Sequence, residues 1–258
     1  MFEYGLKLWS TNAGYANSAV ELFGRGIYHY LELFAVPGSY GTLGTWKALA
    51  ERGIPFVIHA PHTMAGLNLA DPAARKQNKV LAAEAFRFAD GLKAPKVIFH
   101  PGVNGSDEEA AVQLKGLADG RVLVENKPYL GIVPGAVCAG YSPEGIKAIL
   151  NFSGAGFCLD TGHAIAAANA VKTDKWAGLA AFFALGPQLF HISDGDQDGT
   201  MDSHLHLGKG SYDFARLVKL IPAGARITLE TEKNYPDRLD DFAGDVRFMA
   251  GLVAGGRP

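Results

Sequence analysis

Cysteine is almost missing from this chain: Cys138 and Cys158 are the only two in 258 residues. Two isolated thiols do not make a disulfide framework, so a reducing compartment, the cytoplasm, is expected. An excess of charge is missing too. Lys and Arg number 24 against 26 Asp and Glu, a formal net charge of −2. That balance gives no global attraction to nucleic acid or to an anionic membrane, though a local basic patch stays open. No apolar run reaches the roughly 18 residues of a membrane helix. The start, Met1-Phe2-Glu3-Tyr4, carries neither a basic nor a long apolar signal segment. A membrane is therefore not expected as a partner, and no protein partner is evident. The spaced glycines of a dinucleotide fingerprint are also absent after every candidate strand, which argues against an open Rossmann-type sheet.

What the chain does have is apolar bulk, 48% of its residues, enough for a sizeable core. It is distributed in short runs: Tyr4–Leu8, Tyr30–Phe34, Pro55–His59, Lys96–His100, Val122–Glu125, Gly156–Asp160, Leu189–Ser193 and Arg226–Glu230. Helical patterns lie between them. The clearest spans Asp71 to Leu92, with Ala74, Leu81, Ala85 and Phe88 at helical spacing. Asp71-Pro72 and Ser142-Pro143 each place a capping residue before a first-turn proline. The last helix is expected from about Leu239 to Val253. Eight strand–helix units predict an α/β fold, a single (β/α)₈ TIM barrel over residues 1–258. The two longest irregular stretches, Asn126–Tyr141 and Gly195–Lys209, both follow strands. In such a barrel they cover the C-terminal face, where catalysis is found.

Metal-capable side chains end the third to eighth strands: His59, His100, Glu125, Asp160, His191 and Glu230. A lone strand-end histidine is usually a capped or solvated side chain. Six consecutive strands ending this way converge on the mouth of a closed barrel instead. Imidazole and carboxylate together are the usual ligand set for Zn²⁺ and related hydrolytic metals. Asp160-Thr161-Gly162-His163 adds a second pair at a strand-to-helix turn. There Asp160 also has a plain reading as the cap of the next helix, which leaves His163 unexplained. In Asp202-Ser203-His204-Leu205-His206, alternation along an extended loop puts Asp202, His204 and His206 on one side. Asp202 and His204 are the favoured ligands, and His206 reads as a loop residue facing solvent. Asp194-Gly195-Asp196-Gln197-Asp198-Gly199 has the look of a calcium loop, but its twelfth position is Leu205, not the required Glu. Asp194 is left as a candidate to orient His191 or another ligand. His62 and Trp9 stand where they could touch substrate; His62 reads equally as a rim residue, and Trp9 reads first as a core residue. His29 lies at the far end of the barrel.

Seven of these pieces, His59-Ala60-Pro61, Phe99-His100-Pro101-Gly102, Val124-Glu125-Asn126, Leu159–His163, His191-Ile192-Ser193-Asp194, Asp202–Gly208 and Leu229-Glu230-Thr231, occur in one order. The chain thereby resembles endonuclease IV (AP endonuclease family 2), of the xylose-isomerase-like TIM-barrel superfamily, along most of its length. The resemblance implies a hydrolase with three zinc ions that cleaves at abasic sites in DNA repair. It implies that His59, His100 and Glu125 hold the first ion, that Glu125 bridges to a second with Asp160, His191 and Glu230, and that His163, Asp202 and His204 hold the third. Glu125 would position or deprotonate the attacking water. The superfamily's sugar isomerases and epimerases keep only the equivalents of Glu125, Asp160, His191 and Glu230, for one Mn²⁺ or Mg²⁺. There Glu125 and Glu230 would be the catalytic pair, exchanging protons beside a carbonyl. The extra ligands His59, His100, His163 and His204 favour the trinuclear reading; a non-catalytic metal-binding barrel would leave the whole set without a use. The expected partner is DNA with an abasic site, or a smaller phosphodiester or sugar. The smaller substrate gains from the loops. Ala35–Gly41, which follows the second strand, has no base, and Ile132-Val133-Pro134 and Val137-Cys138 are apolar. Phosphate contacts dominate nucleic-acid affinity, so such loops grip a duplex weakly.

Overall fold

The computed structural model describes residues 2–255. Each apolar run is a strand: β1 (Glu3–Trp9), β2 (Tyr30–Phe34), β3 (Phe56–His59), β4 (Val97–Phe99), β5 (Val122–Glu125), β6 (Gly156–Asp160), β7 (Leu189–Ile192) and β8 (Arg226–Leu229). All neighbouring pairs are parallel, and β8 closes on β1, so the sheet is a closed barrel in chain order. Helices pack between successive strands, as short crossovers between parallel neighbours require. The cap signals act as expected. The Asp71 carboxylate accepts from the Ala73 N–H at 2.8 Å, opening a 3₁₀ turn, Pro72–Ala74, that runs into the helix Arg75–Leu92. The Ser142 hydroxyl accepts from the Gly145 N–H at 3.0 Å and starts the helix Pro143–Ser153. The last helix is Asp240–Gly255. The ends differ from the sequence reading by single residues: β1 runs one residue further at each end, β3 and β4 start at Phe56 and Val97, and His100, Ser193 and Glu230 stand just past their strands.

Period-two alternation divides the strands between two cores. One set of side chains, among them Leu6, Leu31, Ile58, Val97, Val124, Leu159, Ile192 and Leu229, joins the large cluster shared with the helices. The other set points into the barrel. Its lower layer is a separate buried cluster of Tyr30, Val57, Ile98, Leu123, Cys158 and Leu189. Gly5 belongs to this floor. A Cβ there would clash with the Tyr30 ring, which passes over β1 to share a 2.9 Å hydrogen bond with the Thr228 hydroxyl on β8. Two residues further along each strand, one pleat higher, the floor gives way to the C-terminal mouth.

Candidate metal centre

That upper layer is ionisable all the way round: Lys7, Glu32, His59, His100, Glu125, Asp160, His191 and Glu230, one from each strand in turn. Six of the eight were expected from the strand ends. Lys7 and Glu32 were not. They face each other in register across β1 and β2, with the ammonium 3.2 Å from Glu32 Oε1 and also bonded to Glu230. Their signal was present: a single charge inside an otherwise apolar strand, Gly5-Leu6-Lys7-Leu8 and Tyr30-Leu31-Glu32-Leu33. Fully buried charges are rare unless paired or coordinating.

Glu125 is at the centre of the layer and fully buried. Its Oε2 lies 3.1 Å from both His59 Nε2 and His100 Nε2, and 3.2 Å from His191 Nδ1; its Oε1 is 3.2 Å from His163 Nδ1. Burial opposes its ionisation, but His100 and His191 hold the carboxyl well below the ordinary carboxylate range. Most of the imidazoles are fixed from behind. His59 Nδ1 bonds the Ala60 carbonyl at 2.7 Å, His163 Nδ1 the Asn126 carbonyl at 2.9 Å, and His204 Nδ1 the Glu230 carbonyl at 2.7 Å. Each leaves Nε2 facing the mouth, the arrangement that orients a metal-binding imidazole. His191 does the reverse. Its Nε2 bonds Glu32 Oε2 at 2.9 Å, and Nδ1 turns inward. Glu32 is itself held by the Thr228 hydroxyl at 2.7 Å. The carboxylate that orients His191 is therefore Glu32 and not Asp194, which accepts from the backbone N–H groups of Gly195, Gly208, Gly210 and Tyr212 and ties the loop together.

Asp160 does the capping job and keeps its second oxygen available. Oδ1 caps the helix Thr161–Ala170 by accepting from the His163 N–H at 2.7 Å, while Oδ2 stays free. Asp202 and His204 meet as expected, with Asp202 Oδ2 at 2.5 Å from His204 Nε2 and 3.2 Å from His163 Nε2. His206 does not join them. His204 has a left-handed backbone, φ 45°, which breaks the extended alternation and sends the His206 ring to Asp245 Oδ2 at 2.8 Å. Such strain in a non-glycine residue is typical of functional sites. His29 is structural at the opposite end, accepting from the Tyr4 N–H at 3.0 Å.

The residues fit divalent cations. Potential ligand atoms converge within 4.8 Å in the groups His59/His100/Glu125, Glu125/Asp160/His163 and His163/Asp202/His204, and in Glu32/His59/His191/Glu230. Glu125, Asp160, His191 and Glu230 do not form one such group; Glu125 links them through its neighbours. Glu32 Oε1, Glu125 Oε1, Asp160 Oδ2, His191 Nδ1, Ser193 Oγ and Asp202 Oδ1 are buried without a hydrogen-bond partner, although charged neighbours face several of them, His191 Nδ1 lying 2.6 Å from Glu230 Oε1. Buried polar atoms are normally satisfied. Five of these six stand on acid or imidazole groups around one mouth, the pattern that groups sharing a cation would give.

The carboxylates set the protonation of two imidazoles. Burial disfavours the His163 imidazolium, but Asp160 and Asp202 push its pKa up to about 10. For His204 burial is again outweighed, by Asp202, and the value rises to about 9. Both are cationic at pH 7 in the metal-free protein and must lose a proton to become ligands. Zinc binding at pH 7 is therefore expected to release protons, and affinity to rise from pH 7 towards 9. Calorimetry in buffers of differing ionisation enthalpy reads this; an apparent binding enthalpy independent of buffer contradicts it.

A cavity of about 590 Å³ opens over the centre, lined by ligands at its base and by Trp9, Phe34 and His62 beside them. Trp9 ends β1 and is 49% exposed, so it does not pack in the core. His62 is pushed down to about 4 by burial first and by His59 and Lys127 next, and is neutral at pH 7. The cations on the lining, histidines aside, are Lys7, Lys127 and Lys233; no arginine stands among the described lining residues. No helix among the described residues is long and apolar enough to cross a membrane.

The family described as "Xylose isomerase-like TIM barrel" matches residues 28–252. A protein of Mycobacterium tuberculosis (strain ATCC 25177 / H37Ra) named "Probable endonuclease 4" is 30% identical over 205 residues, 76% of this chain and 79% of the relative. One of the same name from Nitratidesulfovibrio vulgaris (strain DP4) is 29% identical over 232 residues, 79% of this chain and 78% of the relative. Among solved structures, endonuclease IV from Thermus thermophilus superposes with a TM-score of 0.74 at 24% identity, covering 98% of this chain and 99% of that one. A D-tagatose 3-epimerase-like protein superposes at 0.76 and 18% identity, covering 99% and 98%. The last two speak for the fold alone. With the family match and the endonuclease 4 relatives together, the chain belongs to the xylose isomerase-like TIM-barrel family, alongside endonuclease IV (AP endonuclease family 2).

Proposed function

We propose that this protein is a metal-dependent phosphodiester hydrolase of the endonuclease IV kind, with three zinc positions. His59, His100 and Glu125 would hold one ion; Glu125, Asp160, His191 and Glu230 the second; His163, Asp202 and His204 the third. The observation that carries the reading is the set of orphaned buried atoms on Glu125, Asp160, His191 and Asp202. A one-metal isomerase site would account for the first three; a further cation beside His163 and His204 would account for Asp202 Oδ1 as well.

Divalent cations bound here supply Lewis acidity, neutralising phosphoryl charge and bringing the pKa of water towards neutrality. The chain does the rest. Glu125 and Asp160 hold the attacking water and accept its proton. Lys7, Lys127 and Lys233, which line the cavity with the ligands, add positive charge around the phosphate. Water attacks phosphorus, the P–O bond to the leaving alcohol breaks, and the leaving oxygen takes up the proton that the carboxylate received from the water. No side chain becomes phosphorylated.

Elemental analysis of the purified protein tests the reading together with two substrates, an abasic-site duplex and bis(p-nitrophenyl) phosphate. About three zinc ions per chain are expected, with hydrolysis that a chelator removes and zinc restores. Nicking of the duplex establishes the DNA substrate implied by the relatives. Cleavage of the small diester alone keeps the chemistry and removes DNA. One exchangeable Mn²⁺ or Mg²⁺ with ketose epimerisation, and no diester cleavage, overturns the proposal in favour of a sugar isomerase or epimerase.

A further inference from the structure

The wall of the cavity is as selective as its base. Four rings form a strip that climbs from the ligands to the rim. His100 stacks on His62 with centroids 6.1 Å apart and planes 17° apart. His62 meets Phe34 at 5.1 Å, and Phe34 meets Trp9 at 5.1 Å. These rings come from β1, β2 and the ends of β3 and β4. Four strands round from β1, the chain after β5 forms a hairpin. The Gly131 N–H donates to the Ala136 carbonyl and the Cys138 N–H to the Tyr129 carbonyl, both at 2.9 Å. Its tip is Ile132-Val133, with Ile132 75% exposed. Leu130, Ile132 and Val133 line the same cavity as Trp9 and Phe34. In a closed eight-stranded ring β5 is the strand opposite β1, so the hairpin confronts the aromatic strip across the mouth.

Large exposed apolar side chains gathered at one mouth call for an occupant. A polyanionic duplex is not matched by this rim, whose strip and hairpin tip carry no cation. A planar ring between an aromatic face and aliphatic side chains is matched. Ligand cavities of this size take small molecules, fixed at one end by a few polar groups. Here the polar end is the ligand layer.

We propose that the aromatic strip and the hairpin tip form a slot for a planar, uncharged ring carried by the phosphate ester whose phosphoryl group sits on the metal centre. The substrate class is then a small phosphodiester with an aryl or nucleobase substituent. This rests on the phosphodiesterase reading and deepens it. Trp9, Phe34 and Ile132 are the specificity-determining residues, and they act on affinity for the ring and not on the reacting atoms.

The test uses the zinc-loaded protein and two probes, methylphosphonate and benzylphosphonate, with binding read by calorimetry and by Trp9 fluorescence. Burying a ring of this size favours benzylphosphonate by at least about tenfold. Trp9→Ala and Ile132→Ser each bring the ratio towards one. Equal affinities in the wild-type protein overturn the slot and leave the hydrolase reading standing. A tenfold preference that survives both substitutions places the ring elsewhere and overturns it too. If neither phosphonate binds, the phosphoryl site itself is wrong, and both readings fall.

Discussion

Glu125→Gln is expected to lower turnover by about 10³-fold or more, the largest effect of any single substitution in this barrel. The amide has the size of the carboxylate, so packing against the floor is unchanged. What changes is charge and donor pattern. Four imidazoles, His59, His100, His163 and His191, present a ring nitrogen to Glu125 within 3.2 Å. A carboxylate accepts in every direction, while an amide offers one acceptor and one donor group, and the donor must face a nitrogen already aimed inward. Glu125 also belongs to three converging groups, with His59 and His100, with Asp160 and His163, and with Cys158 and His191, so its loss should disturb more than one cation position. If the trinuclear proposal holds, zinc content should fall from about three ions towards one, held by His163, Asp202 and His204. Glu125→Asp keeps the charge but shortens the reach, and should retain part of both zinc and turnover. Full turnover in Glu125→Gln, with its circular dichroism unchanged, would remove Glu125 from the centre altogether.

The barrel and most of the ionisable layer at its mouth were legible because one rule governs both. Alternation assigns each strand an inner row, and the row's last residue stands at the mouth. For β3 to β8 that residue is also at or next to the strand's end, so His59, His100, Glu125, Asp160, His191 and Glu230 could be found by position. β1 and β2 run one pleat further, to Trp9 and Phe34. Their members of the layer, Lys7 and Glu32, therefore fall in mid-strand, where a reading based on strand ends does not look. The Asp202–His206 loop was half legible. Its residue types announced a ligand pair, but the positive φ of His204, which separates His206 from that pair, leaves no mark in composition. Asp194 misled for a related reason. A carboxylate next to a ligand histidine suggests an orienting role, and only the folded loop shows its oxygens consumed by four backbone N–H groups.

Lys7 and Glu32 lead to the second large effect. In the metal-free protein the Lys7 ammonium is, among the described residues, the one non-histidine cation bonded within a layer that holds Glu32, Glu125, Asp160 and Glu230. Burial works against its charge, but Glu230 and Glu32 hold it protonated more firmly than an ordinary lysine. Lys7→Met removes that charge and leaves Glu32 and Glu230 facing each other near His191. Breaking one side of a buried pair costs about 3–5 kcal/mol, and for a chain of this size each kilocalorie lowers Tm by roughly 2–4 °C. The metal-free variant should therefore melt on the order of 10 °C below the wild type. Zinc should reverse much of that loss. Glu230 is shared between Lys7 and the ligand group it forms with His191, so removing the ammonium frees a carboxylate for a cation and lets the cation supply the missing charge. The zinc-induced rise in Tm is then larger in Lys7→Met than in the wild type. Glu32→Gln reports the other half of the pair: it should destabilise alone, and less than additively when combined with Lys7→Met. Additive losses, or an equal zinc-induced shift in wild type and Lys7→Met, would show that Lys7 stands apart from the metal positions and serves the cavity wall alone.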